Sequence, residues 1–273
     1  MKSLSHNAYV LKLLAVAAMI MNHISIGWAD ILPFWLLVPL FAVGGLTYTV
    51  MAFFVVEGYR HTSNLKKYIG RLLLFGIIAQ AFHPMVLGVT AMLPGPFLNI
   101  MFSISLALVV LYLYDNIRIR FVFWLLFIVA CFVSLFMDLP IISVLVPLLY
   151  HAITKESKRR TTPGVVMGAY NLLFGALAAV PVILLRAAGL EHEIQNLVYM
   201  TGIPENIMLA TPTFAIGSFI GAILIRNFNG ERGKRSKWLF YVTYPVHLAV
   251  IALIGVALGV ISFNLYGVLF VGS

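Results

Sequence analysis

With 273 residues, 62% of them hydrophobic, only 10% charged and a formal net charge of +9, this chain is excluded from the soluble globular class. Its mean hydropathy is +1.02. Apolar runs of membrane length recur from end to end, and in hydrocarbon the backbone must satisfy its own hydrogen bonds. The reading is an all-α integral membrane protein, a polytopic bundle of about nine to ten transmembrane helices forming one domain over residues 1–273.

In chain order the expected spans are 8–28, 32–57, 69–89, 97–114, 121–137, a short or tilted 139–151, 164–185, 207–225 and 238–258. The apolar tail 259–273 is either a tenth partial span or an interfacial segment. The first span resembles a signal peptide, but it is long, carries Lys12 and lacks a small-residue cleavage site, so it reads as uncleaved. Positive charge falls after every even-numbered span: Arg60, Lys66, Lys67 and Arg71; Arg118 and Arg120; Lys155, Lys158, Arg159 and Arg160; then Arg226, Arg232, Lys234, Arg235 and Lys237. The odd-numbered connections hold Asp30, Asp138, Glu191 and Glu193, with Arg186 as their one basic residue. The positive-inside rule therefore places the N-terminus in the cytoplasm. The net charge is a topology signal, and no nucleic-acid partner is expected. Cys131 is the only cysteine, so neither a disulfide nor a cysteine zinc site can be built, and no metal is expected. Gly217-x-x-x-Gly221 and Gly255-x-x-x-Gly259 suit close helix packing within the chain; a homo-oligomer is left open.

Polar residues inside spans are costly in hydrocarbon and so point to function. Lys12 and His23 are eleven residues apart on the first span, near three full turns, which puts them on one face roughly 16 Å apart. A snorkelling lysine and an interfacial histidine explain the same pattern. The second span ends in Glu57, Arg60 and His61, followed by Lys66, Lys67, Tyr68 and Arg71. This patch can take an anionic, nucleotide-like ligand, or it is ordinary loop charge with Glu57 pairing to Arg60. Gln80, His83, Asn99, Ser103 and Asp138 gather toward the opposite side, at a depth similar to His23. Whether they converge is not readable from spacing. In the last span His247 follows Pro245 near mid-depth, where the proline frees a backbone carbonyl and permits a kink.

Taken in order, these residues resemble the TraX family, whose namesake is the F-pilin acetylase. The resemblance rests on Leu11-Lys12…Met19…Asn22-His23; Phe53-Phe54-Val55-Val56-Glu57-Gly58-Tyr59-x-His61-Thr62; Lys67-Tyr68-Ile69-x-Arg71; Leu98-Asn99-Ile100-Met101-Phe102-Ser103; Asp138; and Tyr244-Pro245-x-His247-Leu248. Residues 161–229 carry none of it. Two positions depart from the pattern. Asn22 stands where the family usually has Asp, and Gly45 is followed by Leu46 where the family often has Arg. A lost carboxylate beside His23 would leave its imidazole less basic.

The family is similar to a wider group of transmembrane acyltransferases, the acyltransferase-three proteins, which also place a basic residue eleven positions before a first-span histidine. The resemblance implies a bacterial inner membrane, acetyl-CoA bound from the cytoplasm, and an acceptor on the far side, either a pilin-like peptide or an envelope glycan. It implies CoA phosphates near Arg60, Lys66, Lys67 and Arg71, with Lys12 nearer the thioester. His23 would be the general base or carry the acyl group. His247 or Asn99 would polarise the thioester carbonyl, and Asp138 would orient the acceptor. A transporter or assembly scaffold using the same polar residues without covalent chemistry is the competing expectation.

Overall fold

A computed structural model describes residues 6–87, 97–234 and 237–261. Among the described residues the regular structure is helical, with only two isolated bridges, His6 to Phe228 and Leu98 to Met137. The helices are α1 (Ala8–Gly27), α2 (Phe34–Gly44), α3 (Leu46–His61), α4 (Leu65–Gln80), α5 (His83–Leu87), α6 (Ile100–Asn116), α7 (Arg120–Ser134), α8 (Ile142–Ala152), α9 (Glu156–Ala187), α10 (Glu191–Thr201), α11 (Glu205–Ala210), α12 (Phe214–Arg226) and α13 (Lys237–Ala257). Among the described residues five stretches are long and apolar enough to cross a membrane: Ala8–Gly27, Phe34–His61, Glu156–Ala187, Glu205–Arg226 and Trp238–Ala257. Three shorter apolar helices accompany them, Ile100–Asn116, Arg120–Ser134 and Ile142–Ala152. The chain is thus a multi-pass helical membrane protein. Residues such as Trp124, Ile128 and Phe132 on α7 are exposed, as a lipid-facing helix requires.

Several expected spans take a different form. The stretch 69–89 is not one helix: α4 stops at Gln80, and α5 restarts at His83. Pro84 supplies the reason, since it lacks the N–H that would bond the Gln80 carbonyl and its ring clashes with that carbonyl. The short sixth span is α8, only eleven residues long. The seventh begins eight residues early, so Arg159 and Arg160 ride on the first turns of α9 instead of lying in a loop. The connection after it contains α10, whose Ile194 is buried against Val182 and Met208. Arg186 at the end of α9 pairs with Glu191 and Glu205. The tenth-span expectation falls beyond Ile261, outside the described residues.

The main core joins α1, α3, α6, α8 and α13 around Leu11, Val50, Leu108, Leu111, Val144 and Leu248. On its flank α12 packs tightly on α9, α3 and α2. Glycines make this seam. A Cβ on Gly217 would lie 2.1 Å from the Ala42 carbonyl oxygen, and one on Gly45 would lie 1.9 Å from the Phe214 carbonyl oxygen. Gly221 meets Thr49. The GxxxG motif on α12 therefore packs within the chain, as its small residues allow. Gly217→Ala is expected to cost about 2 kcal/mol, because a backbone oxygen cannot yield as a side chain can. Gly70→Ala, where nothing lies within 4 Å, should be neutral or slightly stabilising in its helix. Thermal unfolding midpoints of the two variants in detergent check the contrast.

Candidate functional site

The sequence places cations at the α1 start, the α3–α4 junction, the α9 start and the α12–α13 loop, and the fold brings these to one end of the bundle. There a cavity of about 750 Å³ opens, within the usual range for ligand sites. Among the described residues its lining holds six cations, Lys12, Arg71, Arg159, Arg160, Arg232 and Lys234, against two carboxylates, Glu57 and Glu156. Glu57, His61 and Tyr68 also line it, whereas Arg60, Lys66 and Lys67 do not. Arg60 turns instead to the Tyr150 and His151 carbonyls and to Glu57. Lys66 and Lys67 are exposed.

Hydrogen bonding at this cavity is incomplete. The Nε atoms of Arg71, Arg159 and Arg160 are buried without partners. Arg160 spends its terminal nitrogens on the Phe228 carbonyl and Glu156, and Arg71 lies 5.7 Å from the Tyr241 ring. Among the described residues Lys12 forms no ion pair. Its ammonium sits 4.9 Å from the Phe54 ring and 5.6 Å from the Phe240 ring. Buried donors left over beside a cationic concavity suit an anion rich in acceptor oxygens.

The cavity narrows inward. Met51, Met101, Ile104 and Phe240 line both it and a second void of about 30 Å³, which reaches Met19, Thr47, Tyr48, Ile100 and Tyr244. That volume is no more than a water's share. Three of the walls are methionines, whose unbranched side chains rearrange readily.

Next to Met19 and Tyr244 of this inner void, though not lining it, stand two histidines. His23 is 7% exposed and His247 6%, and His247 Nε2 lies 2.9 Å from His23 Nδ1. The two therefore share one depth, although sequence position placed His23 nearer the far side. Helix geometry fixes their protons. His23 Nδ1 lies 2.9 Å from the Met19 carbonyl, and His247 Nδ1 lies 2.7 Å from the Thr243 carbonyl. A carbonyl only accepts, so each Nδ1 carries hydrogen. His23 Nδ1–H is then shared between the Met19 oxygen and the lone pair of His247 Nε2. His23 Nε2 is left with a bare lone pair and no hydrogen bond among the described residues. A neutral His247, with its Nδ1–H given to Thr243 and its Nε2 turned to His23, has no N–H to offer a carbonyl. Its Nε2 lone pair faces His23 Nδ1 instead. Tyr244 closes the cluster, edge-on to both rings at centroid distances of 6.1 and 5.6 Å. Its buried hydroxyl lies by the Ile100 backbone amide without completing a hydrogen bond.

Beyond this pair lie the remaining polar residues. Asn99 is fully buried and caps α6: its Oδ1 accepts from Met101 N–H, while its amide donates to the Gly76 carbonyl and to Gln80 Oε1. Both amide hydrogens are used, so the polarising role expected of Asn99 has no donor to supply it, and the residue is a cap. Asp138 meets His83, with Oδ2 2.9 Å from Nε2. Asn22 turns from His23 toward α2, where a Cβ on Gly44 would lie 2.8 Å from it, and its Oδ1 is buried and unpartnered. A carboxylate at position 22 would be buried there too. Arg159, Arg160, Arg232 and Lys234 read in the sequence as topology charges, and Tyr244 only as part of a motif. Their signal was present, but only the fold assigns them to the cavity and the neck. No group of His, Cys, Asp or Glu suited to hold a metal occurs among the described residues.

Residues 7–255 match the family described as TraX protein. Over 263 residues the chain is 29% identical to a protein described as "Probable fimbrial assembly protein FimC, serogroup H1" of Dichelobacter nodosus, covering 92% of this chain and 96% of that one. No solved structure matches it.

Proposed function

Since the chain belongs to the TraX family, and a cationic cavity shares its inner wall with a small void beside a buried histidine pair, we propose that it is a membrane-embedded acyltransferase. It takes an acyl group from acetyl-CoA on the basic, cytoplasmic side and passes it to an acceptor on the far side. The observation that carries this reading is the alignment of the two cavities: Met51, Met101, Ile104 and Phe240 form the wall they share, and Met19, whose carbonyl holds His23, lines the inner one. The spacing of Lys12 and His23 supports kinship with the acyltransferase-three group.

The chemistry follows from the protons. Phosphate oxygens of CoA pair with Arg71, Arg159 and Arg160, and the pantetheine arm passes Lys12 into the neck. His23 Nε2 attacks the thioester carbonyl; the C–N bond forms, the C–S bond breaks, and CoA leaves as the thiolate toward the cytoplasm. The Nδ1 proton moves to His247 Nε2, so the acylated ring is neutral. It returns when the acceptor displaces His23. The relative's description as a fimbrial assembly protein makes a pilin-like peptide the first acceptor to try.

Binding of acetyl-CoA and slow CoA release by the protein in lipid nanodiscs test the reading. Arg71→Ala and Arg159→Ala should each weaken binding about 10-fold, as loss of a charge-assisted hydrogen bond does. Lys66→Ala and Lys67→Ala should change it little. Absence of acetyl-CoA binding would move the reading to a transporter or an assembly scaffold.

A further inference from the structure

A second buried imidazole stands apart from the neck. His83 is 2% exposed. Its Nε2 faces Asp138 Oδ2 at 2.9 Å, and its Nδ1 is buried with no hydrogen-bond partner among the described residues. An ionised carboxylate only accepts, so Nε2 carries the proton and Nδ1 keeps a free lone pair. Leaving that atom unsatisfied costs stability. The turn that presents Asp138 is costly too. Leu139 and Ile141 flank Pro140 at φ 56° and 62°, a left-handed region in which a β-branched isoleucine is strained. Hydrogen bonds hold the turn, four of them around Asp138, Ile141 and Ser134. Asp138 N–H donates to the Leu98 carbonyl, the Asp138 carbonyl accepts from Ser103 Oγ, Ile141 N–H donates to Ser134 Oγ, and Ser134 Oγ donates to the Cys131 carbonyl. Strain held this firmly, around one carboxylate that orients one histidine, is the arrangement of a positioned base.

Its place suits the second half of a transfer. α5, which carries His83, packs on α1 and α13, the helices of His23 and His247. His83 lies within electrostatic range of His23, and Asp138 within range of Tyr244. The Asp138 side chain is 21% exposed while that of His83 is 3%, so the dyad reaches from the interior toward the far side.

We propose that His83 Nδ1 is the base that takes the proton from the acceptor, with Asp138 as its positioning residue. This rests on the reading of His23 as the acyl carrier. The acceptor's electron pair forms the bond to the acyl carbon, its proton passes to His83 Nδ1, and the C–Nε2 bond to His23 breaks with its electrons returning to the ring. The His83 imidazolium is stabilised by the Asp138 carboxylate, through which the proton leaves. The acceptor class is thereby a nucleophile that still carries a proton when it attacks, a hydroxyl or an amine.

Two half-reactions separate the roles. Exchange of label between acetyl-CoA and free CoA reads acyl transfer to His23. Sustained CoA release beyond the first equivalent, with water as acceptor, reads the second half, and hydroxylamine, nucleophilic without a base at neutral pH, bypasses its base. His83→Gln should slow release to water about 100-fold while exchange falls only a few-fold and hydroxylamine restores release. Asp138→Asn should do the same more weakly, and Asp138→Glu should recover part of the loss. Release to water by His83→Gln at the native rate overturns the proposal, as does a loss of exchange equal to the loss of release, which marks a structural role. A native protein without exchange overturns the acyl-carrier reading itself and the dyad's role with it.

Discussion

His23→Ala is expected to bind acetyl-CoA within about threefold of the native protein and to release CoA about 10³-fold more slowly or not at all. The rate figure follows from what a positioned histidine supplies. Binding survives because Arg71, Arg159 and Arg160 lie at the cavity, well before the neck. His247→Ala should lose less, about 10- to 100-fold. The Met19 carbonyl still accepts from His23 Nδ1, so the tautomer persists, and only the second acceptor for that proton is gone. His247→Gln offers a hydrogen-bond acceptor but no base, and should recover only the part of the rate that comes from orienting His23. Stopped release assays in nanodiscs, with binding measured on the same samples, check all three. Equal release by His23→Ala and the native protein would remove His23 from the chemistry.

Periodicity made some of this site legible and hid the rest. Lys12 and His23 share a helix, so their common face follows from 3.6 residues per turn. The partnership of His23 with His247 spans 224 positions, and no local spacing encodes it. His83 and Asp138 are similar in kind, 55 positions apart and joined only after α4 breaks ahead of Pro84. Asn99 shows the reverse. As a polar residue in an apolar run it reads as functional, yet an asparagine just before a helix is also an N-cap, and its contacts take that form. The basic cluster at 155–160 carried two messages at once. It reports topology, and because α9 starts at Glu156 it also turns Arg159 and Arg160 into the cavity. Hydropathy alone predicted a helical membrane protein, since a window of apolar residues needs no tertiary partner. It failed at 186–206, where an amphipathic helix of eleven residues is too short and polar to register as a span.

Closing the neck without touching a reactive group is the second large expected effect. Met51 lines both cavities and is only partly buried, so its side chain can swing as an acyl-pantetheine arm passes. The inner void, about 30 Å³, is too small for such an arm at rest, and passage requires the methionine walls to part. Met51→Trp replaces a pliant thioether with a rigid bicyclic ring at the point where the two cavities meet. Acetyl-CoA binding should stay within about threefold, because the phosphate-facing cations are unaltered. CoA release and label exchange should both fall about 100-fold, roughly 3 kcal/mol on the barrier, because the arm no longer reaches His23. Met51→Leu, similar in volume but stiffer, should lie between. The pairing of retained binding with lost exchange separates an obstructed route from a misfolded variant, which would lose both. If Met51→Trp exchanges label at the native rate, the acyl group reaches His23 by another path, and the continuity of the two cavities carries no function.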